Sequence, residues 1–275
     1  MSSISPLALP FPELPEISGV TLRCVQANYK YAGRADLTYV ELDEGTVVAG
    51  VFTQNVCSSS EVELGREQIK QGRARALIVN AGNANAFTGY RGQEAVEAIM
   101  GRVSEHLDCD ASSVFVSSTG VIGEPLPIDK AEAGLQKAFA AEPCSWEDAA
   151  RAISTTDTFP KGATASAIVD GKTVQISGFI KGSGMIAPDM ATMLGYIFTD
   201  VAVAPEFLQE LLSAFNKDSF SCITIDSDTS TSDTVLAFAT GKAGGAPLTS
   251  FDDAGADAFA AALNDVCMQL AHLVV

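Results

Sequence analysis

The sequence predicts an α+β or mixed layered α/β fold, and three observations support that class. Helix-type and strand-type patterns are interspersed along the chain, β-hairpin signals recur, and neither a dinucleotide fingerprint nor a phosphate loop is present. The 275 residues suffice for one large or two modest domains with a real core. A continuous domain is expected, with any accessory unit following the hairpin region.

Taken in chain order, residues 1–20 form a Pro-rich lead-in. Leu37–Glu41 and Thr46–Phe52 read as two strands of a hairpin across the Asp43-Glu44-Gly45 turn. Ala76–Val79 is a short apolar strand running into Asn80-Ala81-Gly82-Asn83-Ala84-Asn85-Ala86, whose small residues and asparagines suggest a tight polar loop, structural or functional. Gln93–Leu107 places Val96, Ile99, Met100, Val103 and Leu107 on one helical face. Ser113–Ser117 is a strand, followed by Ser118-Thr119-Gly120, and helices are expected from Ile128 and over Trp146–Ile153. Ala165–Val169 and Thr173–Ile180 flank Asp170-Gly171, a type I′ hairpin signal. Leu194–Phe198 is strand-like. Pro205 opens a helix that turns Phe207, Leu208, Leu211, Leu212 and Phe215 inward. Cys222–Ile225 and Thr234–Ala239 read as strands, and Ser250 with Asp253 suggests a capping box before a helix reaching His272.

Composition narrows the function classes. The chain is 47% hydrophobic with 23 glycines, which suits a compact sheet-containing protein and excludes disorder. Its net charge of −17 would repel a phosphate backbone, so nucleic acid is not an expected partner. The six cysteines at 24, 57, 109, 144, 222 and 267 include no CxxC, and the chain has two histidines, His106 and His272, so no zinc site is expected and the thiols are read as buried and reduced. The N-terminus lacks a signal pattern and no apolar run reaches the ~18 residues of a membrane span, pointing to the cytoplasm. The chain finishes on the apolar run Leu270–Val275, which suggests either an excised fragment or a sequence that continued in its parent.

The most informative stretch is Lys181-Gly182-Ser183-Gly184-Met185-Ile186-Ala187-Pro188-Asp189-Met190-Ala191-Thr192-Met193-Leu194. On residues alone it is a Gly-rich loop between strands, with Thr192 a half-buried β-branched residue. The segment resembles the self-cleavage site of the glutamate N-acetyltransferase/ornithine acetyltransferase family of arginine biosynthesis. Gly184–Pro188 and Met190–Leu194 carry the likeness, and Asn80–Ala86, Ser117–Gly123, Thr156–Lys161 and Asp226–Thr234 support it in family order over nearly the whole chain.

That resemblance implies a fold of β-sheets sandwiched with helices, like that of the family and of the DmpA-type amidases. It implies cleavage between Ala191 and Thr192, giving an α-chain region 1–191 and the start of a β-chain region 192–275, with the family's C-terminal part, including a substrate-contacting glutamate, absent. Thr192 becomes the nucleophile, and its released α-amine, with an ordinary pKa of about 7.7–8.0, can serve as base near neutrality. Thr119 and Gly120 match the oxyanion pair, a hydroxyl and a backbone N–H. Thr158 and Lys181 match substrate-contacting positions, with Lys161 competing for the role of carboxylate partner. Without the family, Thr119-Gly120 would be a capped turn and Lys181 a solvated cation.

The implied reaction moves acetyl from N-acetylornithine to glutamate through acetyl-Thr192, with no resident cofactor and acetyl-CoA as a possible further substrate. The family also implies a self-derived β chain and an α2β2 heterotetramer. Two alternatives stand beside it: an N-terminal-nucleophile amidase or aminopeptidase, and a noncatalytic assembly protein. Asp226–Thr234 departs from the family pattern at Ser227 and Ser232; its acidic spacing is not that of a calcium loop, and a hydrogen-bonded structural turn is expected there.

Overall fold

The computed structural model describes residues 8–186 and 193–275. Nine strands form two sheets. The first contains β1 (Val20–Val25), β2 (Leu37–Leu42), β4 (Ala76–Asn83) and β5 (Val114–Val121), in the order β1-β2-β4-β5. The second contains β3 (Val47–Phe52), β6 (Lys161–Val169), β7 (Lys172–Lys181), β8 (Leu194–Thr199) and β9 (Thr234–Ala239), in the order β3-β9-β8-β7-β6. Neighbouring strands are antiparallel except for β4/β5 and β8/β9.

The alternation of side chains sorts the core into three layers. Val40, Leu42, Leu77, Val79 and Phe115 of the first sheet meet Leu194, Tyr196, Phe198, Leu236 and Phe238 of the second in a seam between the sheets. Leu37, Tyr39, Ile78 and Val116, one position out of phase, face α2 (Tyr90–Leu107) and α3 (Ile128–Phe139). Ile176, Ile197, Val235 and Ala237 face α5 (Pro205–Asp218) and α6 (Ala256–Val274). The result is a helix–sheet–sheet–helix sandwich. Two shorter helices flank the seam: α1 (Ser60–Gln68) and α4 (Trp146–Ile153), whose Trp146 tilts against Phe198 at 5.5 Å. The regions before and after residue 192 share the second sheet and the same cores, so they are not separate folding units. No described helix is long and apolar enough to cross a membrane.

Most expected elements are present, including the Asp170-Gly171 hairpin, where both turn residues have positive φ (47° and 73°). Several expectations are corrected. β2 and β3 are strands, but they lie in different sheets and do not pair: the Asp43–Thr46 turn carries the chain across the seam. Strand β4 extends to Asn83, so the Asn-rich segment begins as buried strand, and β5 extends through Thr119 and Gly120. Cys222–Ile225 is not a strand; the amides of Ile225, Asp226 and Ser227 all converge on the Ile186 carbonyl, which wraps this chain around one acceptor and leaves it no ladder. Asp253 accepts from Thr249 and Ser250 in a turn upstream of α6, whose first residue follows Gly255. Of the cysteines only Cys267 is buried; Cys57 and Cys222 are exposed.

On the seam face of the second sheet Phe198 stacks on Phe238 at 5.1 Å and on Phe179 at 6.0 Å, and Phe238 meets Phe115 of the first sheet at 6.4 Å. Phe198→Ala is expected to lower unfolding stability by about 3–5 kcal/mol, through lost burial plus the cavity left between two β-sheets. Denaturant melts of the two chains would measure it.

Candidate active site

Strand order brings five strand ends to one edge of the sandwich. They are the C-terminal ends of β4, β5 and β7 and the N-terminal ends of β8 and β9. A cavity of about 440 Å³ opens there; its walls include Thr119, Gly120, Lys181, Ser183, Asp226 and Ser232. Three residues expected from sequence to act together are therefore in one wall system. Ala191 and Thr192, the expected cleavage pair, lie outside the described residues. Their chain neighbours are fixed on either side: the Ile186 N–H donates to Asp226 Oδ1 at 2.7 Å, and the Met193 N–H donates to Asp233 Oδ1 at 2.7 Å.

Thr119 and Gly120 owe their placement to the parallel β4/β5 pairing, in which Gly120 aligns with Gly82. Gly120 has φ +135°, and a Cβ there would lie 2.3 Å from the Gly82 carbonyl carbon. Only glycine permits that backbone approach. A ladder of buried asparagines supports the strand ends from behind. Ser118 Oγ donates to Asn80 Oδ1 (2.7 Å), the Asn80 amide to the Asn83 carbonyl (2.8 Å), and the Asn85 N–H to Asn83 Oδ1 (2.8 Å). The Asn85 side chain in turn donates to Glu61 on α1 at 3.2 Å. The sequence marks these asparagines as a polar loop, structural or functional; Glu61 carries no such signal, because a glutamate in the first turn of a helix normally reads as solvated.

Lys181, 2% exposed, ends β7. Burial pushes its ammonium below the ordinary lysine range, against the opposing pull of Asp157 and Asp233. Lys161 is committed elsewhere: its Nζ lies 2.5 Å from Asp157 Oδ1 and 4.6 Å from the Phe159 ring centroid. Among the described residues Lys181 has no hydrogen-bonding partner, so it, and not Lys161, is the cation offered to the cavity. Asp157 also accepts from the Gly182 N–H at 2.8 Å. Burial opposes its ionisation, but the two lysines outweigh burial and hold its carboxyl below the usual range.

Thr158 is not brought to this cavity. It lines two neighbouring depressions, one with Arg34 and Arg151 and one with Lys161 and His272. Thr155 and Thr156 face the cavity in its place, and Thr156 Oγ1 lies 2.7 Å from Ser183 Oγ. Bends at 155–156 and 158–159 decide which threonines reach the cavity, and a run of three threonines in four positions hides that from sequence. The Asp226–Thr234 run is half as expected: Asp226 makes a hydrogen-bonded turn, whereas Ser230–Asp233 is buried against the strand ends.

A family model described as the ArgJ family matches residues 21–275. The arginine biosynthesis bifunctional protein ArgJ of Zymomonas mobilis is 59% identical over 276 aligned residues, covering 100% of this chain and 68% of that protein; the chain thus spans about two thirds of its length. The structure of an ornithine acetyltransferase from Mycobacterium tuberculosis, complexed with ornithine, is 33% identical with a TM-score of 0.53, over 62% of this chain and 92% of that one. An L-aminopeptidase D-Ala-esterase/amidase from Ochrobactrum anthropi shares the fold at 13% identity, with a TM-score of 0.55 over 98% of this chain and 88% of that one.

Two outcomes follow from the buried charges. Asp157→Asn breaks the buried Lys161–Asp157 pair and is expected to cost about 3–5 kcal/mol of stability in denaturant melts. Glu61 has its carboxyl pushed up to about 7, first by burial. Its folded value lies above an unfolded value of about 4.3, so the native state keeps a proton that the unfolded chain releases. Stability should therefore fall as pH rises from about 4.3 to about 7, and Glu61→Gln should flatten that part of a stability-versus-pH curve.

Proposed function

The chain belongs to the ArgJ family of arginine-biosynthesis acyltransferases, and on that premise we propose that Thr192 is its nucleophile, freed by self-cleavage after Ala191. The observation that carries this reading is the meeting of Thr119, Gly120 and Lys181 at one cavity, beside the two clamped flanks of the segment that contains Thr192.

In the uncut chain the nitrogen of Thr192 is an amide without a basic lone pair. Attack of its hydroxyl on the Ala191 carbonyl, an N-to-O acyl shift and hydrolysis of the ester yield a free amine on the same residue as the hydroxyl. In the transfer reaction Thr192 Oγ attacks the acetamide carbonyl of N-acetylornithine. The Thr119 hydroxyl and the Gly120 N–H receive the developing oxyanion, two donors of which each is worth about 3 kcal/mol in a closed site. Ornithine leaves with a proton, and the amine of glutamate takes the acetyl group from Thr192. Lys181 meets the α-carboxylate of the amino-acid substrate, and Thr155 and Thr156 supply hydroxyls beside it, the place that the family likeness gave to Thr158.

Acetyl-CoA as a further acetyl donor, a cytoplasmic setting, and an α2β2 assembly of cleaved chains belong to the same proposal. The amidase alternative rests on fold likeness at 13% identity and on no feature of this cavity. Nothing observed favours a noncatalytic assembly role.

Intact-mass measurement of the chain tests the proposal. Wild type should divide into a 191-residue fragment and its remainder, and Thr192→Ala should stay whole; a folded wild type that stays wholly uncut would sink it. For the complete protein, mixing N-acetylornithine with glutamate should yield N-acetylglutamate, and loss of the Thr119 hydroxyl in Thr119→Ala should slow that reaction by about 100-fold or more.

A further inference from the structure

On the edge of the first sheet, far along the chain from one another, two thiols are in contact. β1 is an edge strand, hydrogen-bonded to β2 on one side, and the chain linking α3 to α4 lies along its other side. The Cys144 N–H donates to the Leu22 carbonyl at 2.8 Å, and Arg23 Nε donates to the Ala141 carbonyl at 3.1 Å. Directly after this strap the Ser145–Asp148 capping box opens α4. The backbone of Cys144 is thus held from both sides.

The second thiol belongs to Cys24 of β1, opposite Thr38 of β2. Cys24 Sγ lies 3.0 Å from Cys144 Sγ and 3.7 Å from Thr38 Oγ1. The two cysteines are 120 positions apart and both half-buried, and Cys144 lines an open depression beside Leu22 and Trp146. Contact with the Cys24 thiol holds the Cys144 thiol below the ordinary cysteine range, with a smaller contribution from Arg23, against burial and the Asp148 carboxylate. Cys24 is pushed upward by the same contact and by burial. The readier thiolate is therefore the one that lines the depression, with a second sulfur directly behind it, which is the arrangement that reversible thiol oxidation requires. Cys57 and Cys222 are more exposed, but neither touches another sulfur among the described residues.

We propose that Cys24 and Cys144 form a reversible disulfide when the chain meets hydrogen peroxide, locking the edge of β1 to the start of α4. The Cys144 thiolate attacks one peroxide oxygen and the O–O bond breaks. A sulfenic acid forms on Cys144, and the departing hydroxide becomes water with the proton that the thiol released. The Cys24 sulfur then attacks the sulfenic sulfur; the S–S bond forms, the S–O bond breaks, and hydroxide leaves as a second water with the Cys24 proton. Two thiols are oxidised and one peroxide is reduced, and a dithiol reductant restores both thiols by exchange. The sulfurs need to close by about 1 Å to reach bonding distance. Both cysteines precede Ala191, so the bond forms within the region 1–191 whether or not the chain is cut, and the proposal stands apart from the Thr192 reading.

The test treats the full chain with a slight excess of hydrogen peroxide, blocks the remaining thiols with an alkylating agent and maps peptides by mass spectrometry. Wild type should lose two hydrogens and yield one cross-linked peptide pair carrying Cys24 and Cys144. These two thiols should be consumed about tenfold faster than Cys57 or Cys222. The oxidised chain should melt about 5 °C or more above the reduced one, because the bond closes a long loop in the unfolded chain, and dithiothreitol should abolish the difference. Cys24→Ser and Cys144→Ser should each lose the cross-link and the rise in melting temperature. In Cys24→Ser oxidation should stop at a sulfenic acid on Cys144, trapped by dimedone. If Cys24 and Cys144 stay open to alkylation while Cys57 and Cys222 are oxidised, the proposal is overturned; a cross-link that leaves melting unchanged overturns the lock. Should a serine variant fail to fold, alanine at the same position replaces it, and the wild-type peptide map decides the cross-link without either.

Discussion

The packing of two sheets through an aromatic seam sets the terms for everything else in this molecule. Phe115 from one sheet meets Phe238 from the other at 6.4 Å, and Phe179, Tyr196, Phe198 and Trp146 extend the same layer. Such a layer is close-packed and dry, and a charge placed within it would have no partner. Polar chemistry is therefore pushed to the strand ends, where side chains can be half enclosed by the sandwich and still reach a cavity. Five strand ends meeting at that edge make it a frame for converging groups.

At this edge the fold gathers ions that it would exclude elsewhere. Asp157, Lys161, Lys181 and Asp233 come from the loop before β6, from β6, from the end of β7 and from the lead-in to β9. Their side chains are nearly inaccessible to water, and the Asp157 carboxyl and the Lys181 ammonium each feel opposite charges nearby. Charges of this kind contribute little net stability, since desolvation offsets most of their attraction. What they provide is placement: a lysine at a strand end fixed by pairing, held at the cavity wall. On the opposite wall the same economy of motion applies to Thr119 and Gly120, whose backbone is locked against Gly82 and backed by the asparagine ladder. Donors that need not move when charge develops are the ones that stabilise it best.

The likeness to ArgJ proteins and the likeness to an amidase operate on different levels. The 13% identity to the amidase records a shared sandwich and nothing about its cavity. The match to the Zymomonas protein, 59% identical overall, covers the whole chain, the cavity walls included. That is why membership of the family carries an expectation about chemistry, while the fold alone does not.

Much of the architecture was legible from local patterns. Elements with regular periodicity, such as α2, α5 and β9, follow directly from spacing, because burial of one face at a fixed period is a local property. The Asp170-Gly171 turn was legible for a similar reason, since two consecutive positive φ values demand particular residues. The family likeness of the sequence also singled out candidates, Thr192, Thr119, Gly120, Thr158 and Lys181, of which Thr119, Gly120 and Lys181 meet at one cavity. Tertiary structure alone decided the rest. Whether β2 and β3 pair depends on strands far away in sequence, and their intervening turn looks the same in either case. Which of Lys161 and Lys181 is left for a substrate depends on the single carboxylate of Asp157, and which threonine of Thr155–Thr158 faces inward depends on the direction of a loop fixed at both ends. Glu61 and Asp233 gain their character from burial, and burial is a property of the whole assembly of layers, written at no one position in the chain.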